Sequence, residues 1–143
     1  MQNSSLRVQV ILNYLSLISI LVVFSEMVTQ GLTKVLTASL IITTFLLVLT
    51  FVNVQSRTGL WKMTHKKVDQ LDEREMQISH EALRLSYSVF SILVLFSMLS
   101  VILLSDVMAF FLNTGMVLVV SFIYVAHTLP SSILAWNYSL AEE

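Results

Sequence analysis

A chain of 143 residues that is 56% hydrophobic and only 12% charged lies far from soluble globular proteins, in which about a quarter of residues are charged. It contains no cysteine, which excludes disulfides, thiolate metal sites and a thiol nucleophile. A formal net charge of −1 gives no electrostatic basis for binding nucleic acid. This is the composition of an all-α, polytopic membrane protein.

Four runs free of Asp, Glu, Lys and Arg follow one another at 8–25, 35–56, 85–105 and 107–141. A membrane-spanning helix needs about 20 predominantly apolar residues, so three runs hold one span each and the fourth holds one span with an uncharged loop or tail. The first span is expected at about 6–25. Its apolar core is longer than the about 7–15 residues of a cleaved signal and lacks a small-x-small site, so it is expected to be retained. Gln30-Gly31 then supplies a turn, and the second span covers about 35–54. The third is expected at about 85–104, a loop at 105–112, and the fourth at about 113–135. Pro130 near its end is expected to kink the helix or stop it early, with Trp136 and Tyr138 at headgroup level. Four spans consume about 80 residues and leave no independent soluble core. The expectation is a single membrane domain over 1–143, four transmembrane helices arranged as two hairpins.

Of the eight Lys and Arg residues, six lie between the second and third spans: Arg57, Lys62, Lys66, Lys67, Arg74 and Arg84. The positive-inside rule makes that loop, 55–84, cytoplasmic. Both termini are then cytoplasmic as well. The loop divides in two. The basic stretch at 57–67 carries a tryptophan and suits a strip on anionic headgroups, with Arg57, Trp61, Lys62, Lys66 and Lys67 as the contacts. From Val68 onward Leu71, Ile78, Ala82, Leu85 and Val89 share a helical face that runs into the third span, so that helix is expected to extend into the cytoplasm. Asp69 is placed to cap its start, with Asp72 and Glu73 in the first turn and Glu81 paired with Arg84. Asp72, Glu73, Arg74 and Glu75 form a candidate docking face for a partner. Asp69, Glu73 and His80 share a face too, but without a paired-histidine motif, and no metal is expected.

The "LDERE" core at 71–75, leading into a helix that enters the membrane, resembles the short "DER" segment of small uncharacterised prokaryotic membrane proteins built of two hairpins. The likeness covers roughly 68–87 and the hydropathy layout. It implies the same architecture and a prokaryotic inner membrane; it implies no activity.

Ionisable residues inside a membrane are costly and often functional. Glu26 and Asp106 fall at the outer ends of spans, where a capping or interfacial role is expected, and His127 is the most interior candidate, expected to hydrogen-bond to a neighbouring helix. The span hydroxyls and amides, among them Asn13, Ser16, Ser97 and Ser100, are expected to serve packing between helices. "SILVVFS" at 19–25 and "SILVLFS" at 91–97 match at six of seven positions, each a few residues after a tyrosine, Tyr14 or Tyr87, as a duplicated hairpin or chance would give. No phosphate loop, catalytic triad or metal-histidine motif is present, and no cofactor is expected. The resulting expectation is a non-catalytic accessory or assembly subunit of a larger membrane complex, with membrane lipids and other membrane subunits as partners. The alternative is a small homo-oligomeric transporter or channel, similar in size to the small multidrug-resistance exporters.

Overall fold

The computed structural model describes residues 2–56, 58–66 and 71–138. Arg57, Lys67 and Asp69 lie outside the described residues, as does the side chain of Tyr138. Five α-helices follow in order: α1 (Gln2–Gln30), α2 (Lys34–Phe51), α3 (Leu60–His65), α4 (Glu73–Leu103) and α5 (Ser105–Tyr138). A π-helical turn, Val52–Ser56, continues α2. Four of these helices are long and apolar enough to cross a membrane. In hydrocarbon every backbone N–H and C=O must be satisfied within the segment, which long uninterrupted helices achieve.

The turn at Gln30-Gly31 forms as the sequence indicates, with Gly31 at φ +82°, a left-handed conformation that glycine adopts without Cβ strain. Thr33 caps α2 by accepting from the Leu36 N–H at 3.3 Å. The loop expected across 105–112 is instead helix, because α5 begins at Ser105 directly after Leu104. Nothing in 105–112 breaks a helix, and Asp106 stands in the first turn, where its negative charge suits the dipole. Nor does Pro130 stop α5, which continues to Tyr138. Proline inside a membrane helix is tolerated where neighbouring helices and hydroxyl side chains re-satisfy the backbone, and Ser131 and Ser132 flank it here.

The start of α4 also differs from expectation. Asp72 is the cap: it accepts from the Glu73 N–H at 2.8 Å, while the Glu75 carboxylate reaches back to the Asp72 N–H in a capping box. A cap residue needs its side chain at the first free N–H groups, and Asp72 is the residue immediately before the helix.

Helix α1 packs along α2 and along α5, and α5 packs along α4. The spatial order is therefore α2, α1, α5, α4, with the first and last helices central. The buried apolar side chains gather at one end of the molecule. Val10, Val54, Leu60, Met63, Ala82, Leu134 and Ala135 form one cluster, with Tyr14, Leu71, Ile78 and Ile133 packed against it. Elsewhere the helices expose large apolar residues along their lengths, such as Ile42, Phe45, Ile92 and Phe96. Lipid tails compete with helix contacts for such side chains, so hydrophobic burial builds a core only where water is the alternative. The residues after α2 are drawn into that core: α3 buries Leu60 and Met63 and keeps Lys62 and His65 exposed.

Candidate functional site

Next to the apolar cluster, α1, α2 and α5 enclose a polar network built from neutral side chains. Asn13 on α1 donates through Nδ2 to the Leu47 carbonyl at 3.2 Å and to Thr50 Oγ1 at 2.9 Å, both on α2. Its Oδ1 accepts from the Tyr124 hydroxyl of α5 at 3.0 Å. One amide thus ties three helices together. Tyr14 donates to Ser132 Oγ at 3.0 Å and lies 3.4 Å from Thr128 Oγ1. Burial of these groups without partners would cost several kcal/mol each in hydrocarbon, so the mutual bonds are a condition of the packing.

Gln55 completes the network because of the π-helical turn. One extra residue in a turn rotates everything after it, and Val54 and Gln55 point inward at 1% and 2% exposure. Gln55 Nε2 donates to the Thr128 carbonyl and to Ser132 Oγ, each at 3.3 Å. Its Oε1 is buried with no hydrogen-bond partner among the described residues. The Thr128 carbonyl also accepts from Ser132 Oγ at 2.8 Å and from Ser131 Oγ at 3.1 Å. The segment around Pro130 is therefore the most densely hydrogen-bonded part of α5.

Two apolar grooves flank this network. One, of about 470 Å³, runs between α2 and α5, with Leu47, Val48, Phe51, Val120, Ile123 and His127 on its walls and Trp61 of α3 beside them. The other, of about 410 Å³, lies between α1, α4 and α5 and includes Tyr14, Leu93, Ser97, Leu118 and Ser121. Trp61 is fixed on one side by Phe51, edge to face at 5.9 Å, and on the other by His65, stacked at 4.1 Å.

His127 does not bond to a neighbouring helix. Its Nδ1 lies 2.9 Å from the Ile123 carbonyl of its own helix, and the ring is exposed on the groove wall. A carbonyl can only accept, so Nδ1 carries the hydrogen and Nε2 faces outward. The span hydroxyls singled out in the sequence behave similarly: Ser16, Ser97 and Ser100 donate to carbonyls four residues back, each at 2.8 Å. A hydroxyl on a helix reaches that carbonyl without moving the backbone, so in these cases it satisfies itself and links nothing. Asn13, whose amide cannot do this, is the one of the group that crosses between helices. Glu26 is bonded by the Gln30 amide of its own helix.

At the loop end, Glu73, Arg74, His80, Glu81 and Arg84 are exposed on α4, and no ion pair joins Glu81 to Arg84. Asp72 and Glu75 of the expected docking face are engaged in the capping box. Among the described residues no group of three or more His, Asp or Glu side chains stands together as metal ligands would. Lys62 and Lys66 are exposed beside Trp61, and the Arg7 guanidinium sits over the Trp136 ring at 5.4 Å. Tyr14 and Tyr87, which follow the pattern of an internal repeat, have different settings: the first is in the network and the second is 76% exposed.

No family model, curated protein or solved structure matches the chain.

Sequence reasoning missed Thr50, Gln55, Tyr124, Thr128, Ser131 and Ser132. A signal for the last three was present in the crowding of hydroxyls in "HTLPSS" at 127–132, around the single proline. No sequence signal marks the π-helical turn that brings in Gln55.

Proposed function

We propose that the chain is a non-catalytic accessory or assembly subunit of a larger complex in a prokaryotic inner membrane. Its four spans form two hairpins with 55–84 and both termini in the cytoplasm, and α4 extends beyond the bilayer as a docking helix. The positive-inside bias supports the orientation, and the likeness to small two-hairpin proteins with a "DER" segment fits it. Helix length supports the extension: the 31 residues of α4 rise about 46 Å, about 16 Å more than the hydrocarbon core requires. That excess is about eleven residues and ends near Arg84, the last charged residue before the apolar run.

The observation that carries the docking role is the way α4 is held. Ile78 and Ala82 pack into the apolar cluster with Leu60, Met63 and Leu134, and the capping box fixes the helix start. The opposite face then presents Glu73, Arg74, Gln77, His80, Glu81 and Arg84 outward. A rigid helix face with interleaved charges and no internal ion pairing among the described residues is suited to a partner surface of complementary charge pattern. Tagged protein purified in gentle detergent from its native membrane tests this directly. Stoichiometric recovery with larger membrane subunits, lost in an E73K/R74E/E81K variant that still folds, is the expected result. Recovery as a homo-oligomer alone, unchanged by those substitutions, overturns it in favour of a small transporter or channel.

A further inference from the structure

We propose that the groove between α2 and α5 is a binding site for an anionic phospholipid, one acyl chain lying in the groove and the phosphate resting on α3. The proposal rests on the orientation given above, which puts α3 at the cytoplasmic headgroups, and is independent of any partner complex. Three observations support this occupant. The groove walls are aliphatic and aromatic, from Leu47, Val48 and Phe51 on one side and Val120 and Ile123 on the other, and its volume of about 470 Å³ is that of a ligand site. It has a built end: Trp61, clamped between Phe51 and His65, is an amphipathic ring of the kind that settles at headgroup depth. And the residues beside that ring are basic, with Lys62 next in sequence and Lys66 at the end of α3, both exposed.

Charge distinguishes this groove from its neighbour. The groove between α1, α4 and α5 has a similar volume and apolar walls, but none of its lining residues belongs to the basic helix. Ordinary lipid tails are expected in both; selection by headgroup is expected only in the first. Basic pockets between helices at the cytoplasmic side favour acidic headgroups by about 1 kcal/mol per Lys or Arg near the surface. His127, with Nε2 free on the same wall, adds a polar atom deeper in the groove, toward the level of the lipid glycerol.

The test uses the purified full chain in phosphatidylcholine vesicles containing a minor fraction of phosphatidylglycerol that carries a photoactivatable group on its acyl chain. A parallel preparation carries the same group on phosphatidylcholine. After illumination, labelled peptides are mapped by mass spectrometry. Labelling of 47–51 and 120–124 by the phosphatidylglycerol probe is expected to exceed that by the phosphatidylcholine probe about thirtyfold, from two lysines, with no such preference in 89–97. K62Q/K66Q is expected to abolish the preference and leave the total labelling by phosphatidylcholine unchanged. Ile123→Trp, which fills the groove, is expected to abolish labelling there by both probes; V120F serves if that variant does not fold. Equal labelling by the two probes in the unaltered protein overturns the proposal, as does cross-linking of the groove to a second copy of the chain. A Lys66→Cys variant treated with a membrane-impermeant maleimide separates the two ways of failing. Labelling from the cytoplasmic side only, with equal labelling by the two lipids, sinks the lipid site and spares the orientation.

Discussion

Asn13 and Gln55 are both buried amides in one network, yet they are bonded in different ways. Asn13 uses donor and acceptor ends on α2 and α5 at distances of 2.9 to 3.2 Å. Gln55 donates at 3.3 Å to groups that are already bonded, and its oxygen is unpartnered. Removing one partner of a satisfied buried pair exposes the desolvation cost of the other, whereas removing a group with an orphaned atom relieves a cost. Asn13→Leu is therefore expected to destabilise the protein by about 1–3 kcal/mol. Gln55→Met, which keeps the volume, is expected to change stability by less than about 0.5 kcal/mol. Thermal unfolding in detergent compares the two; a larger loss for Gln55→Met would show that its oxygen has a partner of its own. The sequence exposes Asn13 as an amide in the middle of an apolar run. Gln55 sits at the end of such a run, where a polar residue is expected at the interface and gives no hint of burial.

Among the elements, the start of α4 and the turn after α2 are the most open to test. The cap at Asp72 satisfies the first N–H of a helix whose initial turns are proposed to stand in water. Asp72→Ala is expected to cost about 1 kcal/mol and to raise amide exchange in 73–76 while leaving 85–103 protected. A uniform rise across α4 would mean that the cap holds the whole helix. Deleting Asn53 would turn the π-helical turn into an ordinary one and rotate Gln55 and Val54 by about 100° out of the interior. Loss of the monodisperse folded protein on gel filtration is the expected outcome, and retention would show that α3 can be seated in more than one register. These elements also mark what the sequence could and could not convey. Apolar runs and the charge between them reveal four spans because hydrocarbon tolerates little else. Polar residues such as Asp106 within an apolar stretch point to a loop at 105–112, whereas the chain reverses at Leu104 alone and leaves them inside α5. The π-helical turn depends on tertiary packing of Val54 and Gln55 against α5, and "VNVQS" carries no local sign of it.

On the scale of the whole molecule, the core is displaced to the end where Val54, α3 and Ala82 of α4 meet Leu134 and Ala135 of α5. The orientation assigned to that end is testable with little effort, since the chain has no cysteine to remove. Thr33→Cys is expected to react with an impermeant maleimide from outside intact cells, and Lys66→Cys only after the inner face is opened. The reverse pattern would invert the topology and move the docking helix to the other side. The four long apolar helices were legible as charge-free runs. The spatial order of the helices was not, because apolar faces of similar composition pack on one another or on lipid with little difference in energy.

The hydrogen bonds from Asn13 and Tyr14 to α5 join the first helix to the last. During synthesis α1 emerges more than a hundred residues before Tyr124 and Ser132 do, and at 5–20 residues per second the wait is about 5–20 s. For that interval the Tyr14 hydroxyl has no partner from its own chain, in an environment that penalises unpaired polar groups. Until α5 is made, α1 carries polar groups whose partners on that helix do not yet exist. Chains that stop short of α5 leave the Asn13 carbonyl oxygen and the Tyr14 hydroxyl without the partners that α5 supplies.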